Sequence, residues 1–438
     1  MSKLEELIKE FCPNGVEYKK INEIAVQLNG MSGVSSKWAD EGNCEFIDYM
    51  NVYKNIKIDT ELIKKATVKS QKQTTLEQWD ILFTSASEVP NECAISSVIE
   101  KPIKRGVFLD DHLFGIRIKS DFKSEVDSVF LNYYFRSDSF RCEINKVVRG
   151  VTRFYISKTD FMSLQIPLPA LPVQREIVRI LDSFTLYSAE LTAELIARRK
   201  QYEFYRDKLL DFGNAKLVVK NKKLKELCIS IKDGMHNLPV TTDENTGYPV
   251  LSAMNIYDGQ IHYDAKRFVS REVFEQESKR TKIETGDVLL TIVATIGRTA
   301  VVENSTSFLL QRSVCALKPS KEILSKYLKY YLDTNAIQNY IFANAHGSAQ
   351  AGLYLNQVAD IEVVLPPIDV QERIVKVLDN FDAICSDLGI GLPAEIEKRQ
   401  KQYEYYREKL LTFDGKYATI LTERNGTERN GTERNGQG

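Results

Sequence analysis

The chain has 438 residues, 43% of them hydrophobic and 27% charged, which exceeds one ordinary core and points to two globular domains plus connecting elements. No apolar run reaches the ~18 residues a membrane span needs, and the charged start MSKLEELIKEF lacks the apolar stretch of a signal peptide, so a cytoplasmic protein is expected. The formal net charge of −1 argues against strong nonspecific polyanion binding, while leaving room for specific DNA binding through local patches.

Residues 1–166 carry short β-type runs punctuated by turns, such as Asp80–Thr84 and Phe114–Ile118, and close on a helical stretch, LNYYFRSDSF, from Leu131. Pro167, Pro169 and Pro172 then lead into a helix, where proline is tolerated ahead of and within the first turn. Over 167–212 the apolar positions alternate in steps of four and three: Ile177, Leu181, Phe184, Leu191, Leu195, Tyr202, Tyr205 and Leu209, with Ser188 and Arg198 at the weaker places. That is a coiled-coil seam. Continuous from Pro172 to Leu210, the helix spans ~60 Å at about 1.5 Å per residue.

Residues 213–363 follow the same plan, with β-type runs at Asp287–Thr291 and Val314–Leu317 and a helical stretch, LKYYLDTNAI, from Leu328. A second helix over 364–413 follows Pro366 and Pro367, with a seam of Ile374, Leu378, Phe381, Cys385, Leu388, Leu392, Ile396, Arg399, Tyr403, Tyr406 and Leu410. Two successive steps of four at Leu388–Leu392–Ile396 form a stutter, and Gly389, Gly391 and Pro393 predict a break near 389–393. The segment 414–438 contains three copies of TERNG, cannot bury a core, and is expected to be disordered. So perfect a repeat suggests a slippage-prone DNA repeat and a tail of variable length; an inert tail is the alternative.

The two halves are copies. Val173-Gln174-Arg175-Glu176-Ile177-Val178 returns as Val370-Gln371-Glu372-Arg373-Ile374-Val375, and Leu181-Asp182-Ser183-Phe184 as Leu378-Asp379-Asn380-Phe381, each 197 residues on. KQYEFYRDKLL from Lys200 returns as KQYEYYREKLL from Lys401, 201 residues on. A period near 200 is a tandem domain duplication, too long for a solenoid. Each copy is an α+β head followed by a long helix. Two exposed apolar stripes in one chain should bury on each other; separate packing of each helix on its own head is the alternative. Outside these anchors the heads diverge, which suggests that they bind different things.

The chemistry of an enzyme is missing. There is no Walker A loop, HExxH, paired CxxC or GxSxG, and no amino-methyltransferase signature. The four histidines (His112, His236, His262, His346) do not share a metal-ligand spacing. The seven cysteines (Cys12, Cys44, Cys93, Cys142, Cys228, Cys315, Cys385) are scattered, as expected of reduced thiols. No catalytic residue, metal or cofactor is expected on this chain, which favours a recognition protein.

The repeated Val-Gln-x-x-Ile-Val-x-x-Leu-Asp-x-Phe and Lys-Gln-Tyr-Glu-x-Tyr-Arg-x-Lys-Leu-Leu blocks, with GDVLLT, LLQRSVCALKP and the Gly347–Gln350 turn, resemble the specificity subunits of type I restriction–modification systems over roughly residues 15–412. Ser188–Leu195, SAELTAEL, looks like the short repeat of the type IC branch. The resemblance implies two target recognition domains, 1–166 and 213–363, on helices packed as an antiparallel coiled coil with pseudo-two-fold symmetry. It implies a two-part DNA target with an unread spacer, two methyltransferase subunits and motor-nuclease subunits as partners, and S-adenosylmethionine, ATP and magnesium used only by those partners. Residues 188–195 would then act as a ruler for the spacer. A related system with fused cleavage and methylation subunits, and a non-DNA coiled-coil adaptor, remain as alternatives.

Base reading needs amide, guanidinium and hydroxyl groups, and phosphates need cations or backbone amides. In the first head the candidates are Lys69, Gln71, Lys72, Gln73, Thr84, Ser85, Ser87, Arg149, Thr152 and Arg153, with Trp38 as a stacking or core residue. In the second they are Asp233, His236, Ser252, Asn255, Thr295, Arg298, Gln311, Arg312, Ser348 and Gln350. For each one an ordinary solvated loop is the alternative.

Overall fold

The computed structural model describes residues 3–37, 42–70, 73–213, 219–237, 242–243, 246–304, 307–346, 352–386 and 391–413. The chain forms two compact units whose boundaries cut through the long helices: Met1–Ala189 with Lys398–Gly438, and Glu190–Glu397.

In the first unit a four-stranded antiparallel sheet runs in the spatial order Ala25–Asn29, Leu113–Ile118, Ile81–Thr84, Ser96–Val98. Its inner strands are apolar on both faces because both are covered. One face meets a phenylalanine cluster in which Phe161 packs edge to face against Phe83 and Phe114 at 4.7 and 5.0 Å, and those two stack on each other at 5.1 Å. Phe135 and Phe140 join it from the helices Ser128–Phe135 and Asp138–Val147. The other face carries Leu28, Leu82 and Leu113, packed with Ile47, Val52, Val107 and Leu109. Behind these lies a smaller sheet, Val34–Lys37, Lys64–Val68, Cys44–Ile47, Val107–Leu109, whose last pair is parallel.

The second unit repeats the plan with other side chains. Its main sheet is Cys228–Asp233, Val314–Pro319, Val288–Thr291, Thr299–Val301. Its smaller sheet, Phe268–Val269, Tyr248–Leu251, Leu309–Leu310, again holds one parallel pair.

The central helix, Leu171–Leu210, is continuous for 40 residues. The C-terminal copy forms two helices, Ile368–Ser386 and Leu392–Leu411; Leu388 and Gly389 lie outside the described residues, as do Trp38 and the TERNG tail. Each unit holds one part of each copy. In the first, Phe184 stacks on Tyr406 at 5.5 Å and the Arg399 guanidinium lies 5.0 Å over the Tyr187 ring. In the second, Tyr205 stacks on Phe381 at 5.8 Å, while Leu210, Ile374 and Leu378 share its core. Numbers rise along one helix as they fall along the other, so the pairing inside each unit is antiparallel.

Both sequence readings of the seam are realised, at different turns. Ile177 and Leu181 are buried in the first head's core, with Tyr403 and Leu410 packed against it; Ile374 and Leu378 are buried in the second's, with Tyr202 and Leu209 against it. Between these turns the helices meet through aromatic pairs that stay partly open to solvent. Leu191 is buried, and Leu195 and Ile396 are half-buried.

Polar anchors explain why the repeated motifs repeat. The buried Gln174 amide donates to the carbonyls of Glu125 and Pro169 and accepts from Asp127 N. Gln371 does the same with Glu322, Pro366 and Leu324 N. Tyr133 donates to Asp182 at 2.7 Å, and Tyr330 to Asp379 at 2.6 Å. Burial and these carboxylate partners push both phenols up, so each is a fixed donor.

Candidate nucleic-acid interface

In an antiparallel sheet, alternate strands end where their neighbours begin. Thr84, Asn29, Ser96 and Leu113 therefore lie at one end of the first head's sheet. The loops leaving that end are stitched side by side. Met31 N donates to Leu109 O at 2.7 Å, and Ser85 N to His112 O at 3.0 Å. Ala86 and Ser87 pair with Tyr155 and Phe154, whose other neighbour is Val148–Arg149. Lys69 N reaches Gly33 O at 3.1 Å, and the Gln73 amide takes both Ser32 N and Ser32 O.

Lys69, Gln73, Ser85, Ser87, Arg149, Thr152 and Arg153 are thus brought to one end of one sheet. Lys69, Arg149, Thr152 and Arg153 are exposed, and Arg149 bridges Asp160 at 2.8 Å. Gly150 makes the turn between the arginines possible: its φ is 122°, and a Cβ there would lie 2.1 Å from Arg153 O. Gln71 and Lys72 lie outside the described residues.

The second head gathers its candidates the same way. Met235 bridges to Gln311, Gln311 N donates to Leu251 O, and Ala253 N donates to Ser313 Oγ. Ile292 N donates to Ser313 O, and Arg298 reaches Ile256 O at 3.3 Å. His236, Thr295, Arg298 and Arg312 are exposed, with Asp233, Ser252 and Gln311 half-buried beside them. Ser348 and Gln350 lie outside the described residues.

Two candidates are corrected. Thr84 is fully buried; its hydroxyl donates to Glu92 O and accepts from Ile95 N, so it closes a loop and faces no ligand. Asn255 is buried, with its amide carbonyl taken by Ser252 and its amino group by His262 O. Others have their polar groups engaged within the protein. Both Gln73 amide ends brace the Ser32–Ser70 loops. Ser87 Oγ donates to Glu92, and Ser252 caps a short helical turn. The two Asp233 oxygens hold Arg280 at 2.8 Å and His236 at 2.7 Å, so its part is to orient a cation and an imidazole.

Asn29, His112 and Lys158 in the first head and Arg280 in the second also stand among these loops and were not among the sequence candidates. Lys158 reaches Asn29 across 129 residues, and Arg280 lies 47 from Asp233. The only sequence signal was their location inside the diverged heads. Among the described residues no cluster of metal-ligand type occurs, and no helix is long and apolar enough to cross a membrane.

Comparison with known proteins places this architecture. The family model described as type I restriction modification DNA specificity domain matches twice, over residues 13–199 and 218–398. The EcoR124I/EcoR124II specificity subunit of Escherichia coli is 32% identical over 271 residues, covering 60% of this chain and 66% of that protein. A Haemophilus influenzae protein bearing the name of a type I restriction enzyme specificity subunit is 29% identical over 303 residues, 66% of this chain and 74% of its own length. A solved chain from work on assembly and conformational transition of the type I R-M system superposes with a TM-score of 0.64 at 17% identity, over 92% of this chain and 99% of that one, and so shares the fold. With two copies of the family domain covering most of its length, each built as a head on antiparallel helices, the chain belongs to the DNA-specificity subunits of type I restriction–modification systems.

Proposed function

We propose that each head reads one half of a two-part duplex target through the loops at the end of its main sheet, and that the bases between the halves go unread. The observation that carries this is the duplicated strand-end surface with different side chains: Lys69, Arg149, Thr152 and Arg153 in one head, His236, Thr295, Arg298 and Arg312 in the other. Guanidinium and amide groups suit base edges, and exposed lysine suits phosphate. The chain supplies recognition only. Two methyltransferase subunits and motor-nuclease subunits complete the assembly, and S-adenosylmethionine, ATP and magnesium serve those partners. Single-molecule methylome sequencing of a host expressing this chain with its methyltransferase tests the reading. The expected result is one motif of two short defined blocks at a fixed gap; an uninterrupted motif, or none, would overturn it.

A further inference from the structure

The corresponding strands Ile81–Thr84 and Val288–Thr291 both end on a fully buried threonine, and the two threonines make the same lock. Thr84 N donates to Ile95 O, Ala94 N to Thr84 O, and Ile95 N to the Thr84 hydroxyl, which itself donates to Glu92 O. In the second head Thr291 N donates to Arg298 O, Gly297 N to Thr291 O, and Arg298 N to the Thr291 hydroxyl, which donates to Thr295 O. Each loop, 85–94 or 292–297, therefore leaves from and returns to one residue. The last residue of each loop is left-handed: Ala94 at φ 54° and Gly297 at φ 88°.

A side chain from elsewhere in the head catches the carbonyl that this turn presents. Arg141, on the helix Asp138–Val147, donates to Ala94 O at 3.1 Å, to Asn91 O at 2.8 Å and to Cys93 O. Gln338, on Asn335–Asn344, donates to Gly297 O at 2.9 Å and to Leu332 O at 2.8 Å. The two side chains occupy the same place in the duplication, 197 residues apart. Their chemistry follows the loop. The longer first loop turns three carbonyls toward Arg141, and a guanidinium fork satisfies all three. The shorter second loop turns one toward Gln338, and an amide suffices.

Resting on the reading of these strand ends as the DNA-facing surface, we propose that Arg141 and Gln338 are positioning residues for target discrimination, each fixing the path of its own head's loop without touching DNA. A buried arginine whose hydrogen bonds all go to main-chain carbonyls is costly to place, and holding this loop accounts for it. Its counterpart would then be free to differ, as it does, with the loop it serves.

The test uses the full chain with its methyltransferase partner, reading methylation rates on duplexes that carry single-base changes across the target. Gln338→Met keeps the side-chain length and removes the donor; Arg141→Met removes the donors with an apolar side chain two atoms shorter. Each variant should lose about fivefold discrimination or more, the low end of what one base contact contributes, in one half of the target only, and the affected halves should be opposite. Arg141→Gln, which restores one donor toward Ala94 O, should recover part of the loss. Unchanged discrimination in a folded variant, or equal loss in both halves, would overturn the proposal. If Arg141→Met does not fold, Gln338→Met decides alone. A wild-type complex that methylates no defined target would instead overturn the reading on which the clamp rests.

Discussion

Thr84 shows how a residue of the right type can stand in the right loop for a different reason. Its hydroxyl serves Ile95 N and Glu92 O inside the protein. Thr84→Val keeps the shape and strands both groups, and should cost about 1–3 kcal/mol in a denaturant titration; a change within error would show that the lock is not needed. Arg153 is the opposite case, exposed on a glycine turn with solvent around it. If it meets phosphate, Arg153→Ala should weaken binding to specific and unrelated duplexes alike, and lower the slope of log affinity against log salt by about 1. A loss confined to the specific duplex would place it on a base instead. The cysteines give a check on the core. Burial pushes the Cys228 thiol up to about 12 and also raises Cys44, Cys93, Cys315 and Cys385, whereas Cys142 is exposed. Thiolate is the reactive form, so mild alkylation of the folded chain followed by peptide mapping should mark Cys142 well before those five.

At the scale of elements, the helices were legible and the candidate surface was not, and the difference is one of range. The four-three spacing of Ile177, Leu181 and Phe184 is local, and so is the proline lead-in that starts the helix at Leu171. The repeated Gln174 and Gln371 marked the places where helix and head are fastened. The loops, by contrast, are assembled by pairing across the sequence, as when Lys158 reaches Asn29 or Ser85 reaches His112. No local pattern encodes such a meeting, so residue type alone could not separate Thr84 and Asn255 from Arg153 and Arg298. Which seam residues would turn toward the heads was hidden for the same reason, because Leu181 and Phe184 look alike in a heptad and differ only in what stands opposite. The helix is unbroken through Thr192–Leu195. Deleting those four residues removes ~6 Å of helix at about 1.5 Å per residue, which is under two base-pair steps of ~3.4 Å. Methylation mapping should then show both half-sites kept and a shorter gap; an unchanged gap would refute the ruler.

At the scale of the molecule, the last helix returns to the unit in which the chain began. The first head's core contains Leu411 and Phe413 and packs against Tyr403 and Leu410, while Glu408 accepts from Asp138 N at 2.7 Å where the helix Asp138–Val147 begins. In the second head the equivalent acceptor is Asp207 of the central helix, toward Asn335 N at 3.1 Å. Stopping the chain after Glu397 should therefore loosen the first head and spare the second. Hydrogen exchange should show lost protection around Ser128–Val147 with Ser325–Asn344 unchanged, and equal loss in both heads would contradict the assignment of the last helix. The same return sets an order of events on the ribosome. The second unit is one unbroken stretch, Glu190–Glu397, whereas the first waits for residues beyond 397. At about 5–20 residues per second, the intervening stretch of roughly 200 residues takes on the order of 10–40 s. Through that interval the apolar places reserved for Leu411 and Phe413 stay open, so the head that is synthesised first is the one completed last.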